Sequence, residues 1–112
     1  MTSLGETEYE KLAYPELEAL LRALDGLAAQ EFEAELAHDI LNIEFADGTK
    51  YVVNSHRAAR QIWMAADRSA WHFDWNPDQK RWIAEKTGDE LWATISRVLG
   101  SKLGEAVELE RD

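Results

Sequence analysis

The sequence contains no cysteine, only two prolines and no long apolar run. Without cysteine the chain has no disulfide, thiolate metal site, thiolate-ligated cluster or cysteine nucleophile. No apolar segment approaches the length that spans a bilayer, and the first ten residues have neither the basic start nor the apolar run of a secretion signal. We therefore expect a soluble, cytoplasmic protein.

Basic residues are also scarce, because 12 Lys and Arg face 22 Asp and Glu, a formal net charge of −10. This charge disfavours binding to nucleic acid or to an anionic membrane, since both attract the opposite sign. Cationic partners are favoured, either metal ions or basic protein patches. The acidity is concentrated in the first 35 residues, where nine carboxylates face two basic side chains.

The length of 112 residues suits one domain, residues 1–112, with one core built from five Trp, three Tyr and three Phe. The sequence has no glycine-rich phosphate loop, no His-Glu-x-x-His pair and no serine-centred elbow. It therefore gives no support to a hydrolase, a kinase or a dehydrogenase.

Hydrophobic periodicity predicts a helix in the first segment. Its apolar residues recur at spacings of three and four: Tyr9, Leu12, Ala13, Leu17, Leu20, Leu24 and Leu27. Pro15 lies inside this pattern and predicts either a kink or a fresh helix start, because proline removes a helical hydrogen bond. Gly26 and the pair Ala28 and Ala29 indicate the end.

About six short strands follow. Alternating or apolar patterns cover residues 31–36, 41–45, 50–53, 61–65, 71–75 and 81–85. Asp47 and Gly48 between two of them are a strong hairpin signal, since such turns need positive φ. The connections are too short for crossover helices, so we expect an antiparallel sheet.

A second helix is predicted after the strands. Thr87 and Glu90 fit a capping box at its start, and Gly104 fits its end. Val107 and Leu109 in the tail can pack back on the core. The order predicts an α+β fold, a two-layer helix–sheet sandwich in which N- and C-terminal helices cover one face of a roughly six-stranded antiparallel sheet.

Several sequence blocks resemble those of the frataxin family, in particular its bacterial CyaY-type branch. The blocks occur in family order: residues 41–50 (LNIEFADGTK), Asn54, residues 61–65 (QIWMA), residues 72–74 (HFD), Trp82, and Thr87 with Gly88. The resemblance covers roughly residues 7 to 109. It implies a frataxin-like helix–sheet–helix sandwich, in agreement with the order predicted above.

The resemblance also implies a function. Frataxins bind ferrous and ferric iron weakly on an acidic ridge formed by the first helix and first strand. They also bind the cysteine desulfurase and the scaffold protein of iron–sulfur cluster assembly, which the bacterial members are regarded as regulating. We accordingly expect a monomer with weak, surface-bound iron.

The chain departs from the family pattern at two places. His56 and Ala58 stand where frataxins usually carry Gln and Pro, so the loop after Asn54 can differ in shape. Leu21 and Arg22 stand where bacterial members tend to have consecutive acids, so the acidic ridge is thinned.

Two groups of candidate site residues follow. The metal candidates are Glu18, Asp25, Glu31, Glu33 and Glu35, whose oxygens suit a hard cation. The alternative without a metal site is a solvated helix face and a charged edge strand, in which Arg22 forms an ion pair with Glu18. The partner-binding candidates are Asn54, Gln61 and Trp63, with Trp63 as an exposed aromatic anchor or, alternatively, a half-buried packing residue.

His72 and Asp74 share a strand face and form a possible secondary metal site or a simple surface pair. His38 and His56 fall in predicted turns or loops, where histidines are usually solvated. The leading hypothesis is an iron-binding regulator or adaptor of cluster assembly. The alternatives are a ferroxidase and iron-storage protein that oligomerises with iron, and an acidic adaptor that binds no metal.

Overall fold

The computed structural model describes residues 4–27 and 31–111 and shows two helices packed on one sheet. The elements in chain order are α1 (Glu6–Gly26), β1 (Phe32–Ala37), β2 (Ile40–Phe45), β3 (Lys50–His56), a 3-10 turn (Arg57–Ala59), β4 (Gln61–Ala66), β5 (Ser69–Asn76), β6 (Arg81–Ile83) and α2 (Leu91–Leu103). The helix, six strands, helix order predicted from periodicity is confirmed.

The sheet is a meander in which each strand pairs antiparallel with its sequence neighbour. The turn at Asp47 and Gly48 joins β2 to β3 as predicted, and Gly48 has φ of +89°. Asp47 Oδ1 accepts a hydrogen bond from Thr49 N at 2.9 Å, which closes the turn. At the far end of α2, Lys102 Nζ donates to Asp47 Oδ2 at 2.7 Å and ties this hairpin to the helix.

The core lies between the helices and one face of the sheet. Its fully buried large side chains are Trp82, Tyr9, Tyr51, Phe73, Leu17, Leu20, Leu24, Leu41, Ile43, Ile62, Leu91 and Ile95. The strand residues alternate, with buried positions toward the helices and more exposed positions on the opposite face, which we call the open face. None of the helices in the described part of the chain is long and apolar enough to cross a membrane.

Pro15 lies inside a continuous α1, so the predicted fresh start at this residue is wrong. Pro15 is exposed, and so is Lys11, whose carbonyl loses its helical partner; water can therefore satisfy that carbonyl. The helix ends at Gly26, as predicted. Ala28 and Ala29 lie outside the described residues.

The predicted capping box of Thr87 and Glu90 is wrong in its residue roles. Helix α2 begins at Leu91, and Glu90 is the N-cap, whose carboxylate accepts hydrogen bonds from Trp92 N and Ala93 N. Thr87 instead accepts a hydrogen bond from Asp89 N within the preceding turn.

The turn that delays α2 also shortens β6, which ends at residue 83 rather than 85. Gly88 N donates to Ala84 O at 2.7 Å, and Ala84 N donates to Asp89 O at 2.8 Å. An isolated bridge between Ile83 and Glu90 adds to these bonds. Because the backbone before Glu90 is hydrogen-bonded within the turn, the helix begins only after it.

The C-terminal tail packs on α2, as predicted. Gly104 ends the helix with φ of +74°, and Leu109 is buried while Val107 contacts the core. The tail passes so close that a Cβ added at Gly100 would lie 2.9 Å from the Glu105 carbonyl oxygen. A glycine in the helix interior is therefore required by the returning chain.

We predict that Gly100→Ala lowers the free energy of unfolding by about 1–3 kcal/mol, because the added methyl forces the tail away from α2. Gly26→Ala is the matched control, since its Cβ would meet nothing within 4 Å. Urea unfolding followed by circular dichroism measures both. An unchanged midpoint for Gly100→Ala would show that the tail does not need this close approach.

Glu16 is a buried carboxylate that periodicity did not reveal. It is 4% exposed on the helical face that packs against α2. It accepts hydrogen bonds from Trp92 Nε1 and from Arg111 Nη1. The tail therefore supplies the charge that compensates a buried anion, and thereby connects three segments distant in sequence.

We predict that Arg111→Ala lowers the free energy of unfolding by about 1–2 kcal/mol, since it leaves Glu16 without its cation while half of the Arg111 side chain is already solvated. Arg57→Ala removes an ion pair with Glu10 whose two side chains are both well exposed. This control should change stability by less than about 0.5 kcal/mol. Equal losses in the two variants would contradict the role assigned to Arg111.

Candidate functional site

The open face of the sheet carries a row of side chains across its four inner strands, β2 to β5. Ile40 of β2, Asn54 of β3, Trp63 of β4 and His72 of β5 are successive register partners. Ile40 is among the exposed large hydrophobic residues of the described chain. Register partners in antiparallel strands project to the same face, so these four form one continuous surface.

Trp63 lies between two histidine rings on this face. The His56 and Trp63 ring centroids are 3.7 Å apart with an interplanar angle of 15°, and those of Trp63 and His72 are 4.2 Å apart at 14°. Both faces of the indole are therefore covered, and Trp63 is half-buried rather than exposed. We call this group, His56, Trp63 and His72, the aromatic stack.

Hydrogen bonds fix the same indole. Trp63 Nε1 donates to Gln61 Oε1 at 2.7 Å, and Gln61 Nε2 donates to Asp74 Oδ1 at 3.1 Å. From the helical layer, the Tyr9 hydroxyl donates to the Gln61 backbone oxygen at 2.6 Å, and burial raises the pKa of Tyr9. Trp63 is thus held in one orientation before any partner arrives.

The structure confirms that Trp63 lies on the open face and that Asn54 and Gln61 accompany it. Their role in partner binding stays a prediction. His72 and Asp74 share this face as expected, but each contacts a residue of β4, namely Trp63 and Gln61. Their role in metal binding also stays a prediction.

His56 was wrongly expected to be a solvated loop residue. It is the last residue of β3, and it stacks on Trp63. The error arose because the β3 strand runs three residues beyond the apolar pattern that ended at residue 53. The pairing of His56 with Gln61 in the register of β3 and β4 places His56 in the strand.

A second candidate surface lies at the sheet edge formed by β1. Glu31, Glu33 and Glu35 are exposed there, and Glu33 lines a shallow recess of about 250 Å³ together with Asp25 at the end of α1. The two acidic segments therefore meet, as predicted. Glu18 lies seven residues before Asp25, which places it roughly 10 Å further along the helix.

Glu44 is an acidic residue that sequence reasoning missed. It is the direct register partner of Glu33 across β1 and β2, and its other partner is Lys50 on β3. Directly opposed like charges destabilise a sheet unless a cation screens them. The turn at His38 and Asp39 sets this register, so recognising that turn in the sequence would have paired Glu33 with Glu44. We call Asp25, Glu33, Glu35 and Glu44 the acidic edge.

Across residues 4–27 and 31–111, no group of three or more His, Asp or Glu side chains is arranged to hold a metal ion. The iron-site prediction at Glu18, Asp25, Glu31, Glu33 and Glu35 stays a prediction. The arrangement places pairs of carboxylates at a solvent-exposed edge. Such pairs leave several coordination positions of a cation to water.

The architecture defines a two-layer α+β protein whose sheet is covered on one face and open on the other. The frataxin-like domain family matches residues 2–105. The chain belongs to the frataxin-like family. The resemblance noted in the sequence is thereby confirmed over nearly the full length.

Curated relatives named "Iron-sulfur cluster assembly protein CyaY" are similar over almost the whole chain. The protein of Dechloromonas aromatica is 35% identical and aligns with 95% of this chain and 99% of its own length. That of Thioalkalivibrio sulfidiphilus is 31% identical, with 95% and 100% coverage. Among solved structures, the frataxin of Psychromonas ingrahamii has a TM-score of 0.86 at 22% identity, covering 96% of this chain and 100% of its own. The predicted fold is confirmed by this match.

Proposed function

We propose that this protein is an iron-binding regulator or adaptor of iron–sulfur cluster assembly that docks on the cysteine desulfurase and the scaffold protein. Membership of the frataxin-like family and the names of its curated relatives support a role in cluster assembly. The observation that carries the proposal is Trp63, held in one orientation by two stacked rings and a hydrogen bond on the uncovered face of the sheet. An ordered aromatic side chain at the centre of an exposed face is a typical binding hot spot.

The open face supplies the apolar part of the docking surface. Trp63 is flanked by Asn54 and Gln61, whose amides can form hydrogen bonds with a partner, and by the exposed side chain of Ile40. An apolar centre with a polar rim is the usual composition of a protein interface. Because Trp63 is already fixed, little side-chain entropy is lost on docking.

The acidic edge supplies the electrostatic part. Asp25 and Glu33 share a recess, and Glu33 opposes Glu44, so a cation at this edge would relieve carboxylate repulsion. Ferrous and ferric iron accept such oxygen ligands, and the exposure of the edge favours weak binding. A basic surface on the desulfurase would satisfy the same carboxylates. Iron and the desulfurase would then compete, so the iron level could tune cluster synthesis.

The proposed location is the cytoplasm, and the proposed resting state is a monomer. The ferroxidase and iron-storage alternative has a separate test. Oxygen consumption on adding ferrous iron in air, together with growth of the particle in size-exclusion chromatography, would favour it over the adaptor.

We predict that Trp63→Ala weakens docking by at least about 30-fold, as expected for a central aromatic anchor. Tyr14→Ala is the matched control, because Tyr14 is an exposed aromatic on α1, away from the open face. Isothermal titration against the scaffold and against the desulfurase, each alone, measures the effect. Unchanged affinity of Trp63→Ala for both proteins would refute the proposed anchor.

We predict that the double variant Glu33→Gln and Glu44→Gln binds ferrous iron about tenfold more weakly, because two opposed charges are removed from the acidic edge. It should also show a smaller salt dependence of desulfurase binding, since exposed charges are screened over about 8 Å at physiological ionic strength. Anaerobic titration followed by broadening of amide resonances near residues 25 and 33 reports iron.

The matched control for this variant is Glu108→Gln with Glu110→Gln, an equal charge change on the C-terminal tail. If both double variants lose the same iron affinity, the effect comes from net charge and the acidic edge has no special role.

A further inference from the structure

The His56 side chain lies against Trp63, the centre of the proposed docking site. Its imidazole covers one face of the Trp63 indole at 3.7 Å between centroids. An amide side chain at this position could not form such a stacked pair of aromatic rings.

Two further observations define the state of this ring. His56 is half-buried, and within the described chain its Nδ1 atom is buried without a hydrogen-bond partner. In a neutral imidazole one ring nitrogen carries no proton, and Nδ1 can be that nitrogen at little cost. In the imidazolium form Nδ1 becomes a charged donor with nothing to accept its proton.

The charged groups around His56 do not change this. The carboxylates on the surrounding elements are Glu10 on α1, Asp39 in the β1–β2 turn and Asp74 on β5. Each already binds another group: Arg57 at 3.2 Å, Ser55 Oγ at 2.7 Å and Gln61 Nε2 at 3.1 Å, respectively. The surrounding cations are Arg57 in the 3-10 turn and Arg60 directly after it, while His72 lies across the indole.

We propose that His56 is a positioning residue for Trp63, and that protonation of its ring releases the indole and weakens docking. This rests on the proposed function, in which Trp63 contacts a partner. The neutral ring stays flat on the indole and fixes its orientation. The protonated ring must turn toward water to satisfy Nδ1, because a half-buried donor without an acceptor outweighs the attraction between a cation and an indole.

The direction of the pH effect follows. Histidine is the usual proton-sensitive side chain of proteins, so protonation of His56 opens one side of the aromatic stack. A mobile Trp63 loses more freedom on docking, and a charged ring at the interface must be desolvated. Both effects weaken docking as the pH falls.

The first measurement needs no partner. The indole Nε1–H resonance of Trp63, assigned from its loss in Trp63→Phe, is followed from pH 8 to pH 5.5. His72→Gln provides the background in which His56 is the remaining ring on Trp63. We expect the resonance to move with pH in this background and to stay in place when His56→Gln is added. Identical movement in both proteins would overturn the inference.

The second measurement is docking. Affinities for the scaffold and the desulfurase are compared at pH 8 and pH 6 for the unmodified protein and for His56→Gln, whose amide cannot be protonated in this range. Between pH 8 and pH 6 we expect the affinity of the unmodified protein to fall about fivefold more than the affinity of His56→Gln. The comparison with His56→Gln removes the part of the pH change that comes from the partner. Equal pH changes in the two proteins would contradict the role of His56.

The two proposals fail separately. If neither partner binds in a Trp63-dependent way, the proposed function is wrong, while the indole resonance still decides whether His56 controls the ring. Unfolding of His56→Gln in urea at pH 8 shows whether the variant is folded. The variant His56→Phe keeps the ring stacking but cannot be protonated, so it should retain docking at both pH values.

Discussion

One-sided burial of the sheet is the constraint on which the rest of the structure depends. Both helices pack on the same face, and that face receives the large side chains that are fully buried. Strand alternation then sends every second side chain away from the helices. The open face exists because the apolar residues on the other side are sufficient for a core.

A hydrogen bond from the helical layer also orders side chains on the open face. The Tyr9 hydroxyl on α1 binds the backbone at Gln61, whose side chain in turn holds the Trp63 indole and contacts Asp74. A core residue thus fixes the strand that carries Trp63. In the same way, Glu16 inside the helical layer ties α1 to α2 and to Arg111 of the tail. Stability and site geometry share these contacts.

Most of the fold could be predicted because it is encoded in local periodicity. The 3.6-residue spacing of α1, the alternation of the strands and the Asp47-Gly48 turn each predict one element without reference to the rest of the molecule. The start of α2 could not, because Thr87 and Glu90 satisfy the capping pattern while the bonds of Ala84 and Gly88 fix the backbone first. A competing turn is visible only once the sheet edge is in place.

The candidate site was predicted less completely for a related reason. Alternation places Trp63 on the open face, but the partners of its indole depend on strand register. His56 and Glu44 both became site residues through register partners on the neighbouring strand, Gln61 and Glu33. Single-strand patterns contain no such cross-strand information.

The sequential order of the strands also bears on how the molecule forms. Each strand pairs with the one just before it, so the whole sheet can assemble from contacts that are near in sequence, a topology associated with rapid folding. Helix α2 and the tail come last along the chain, and they seal the apolar side. During synthesis, therefore, the sheet can be complete while the part of its apolar face that α2 and the tail cover is still in water.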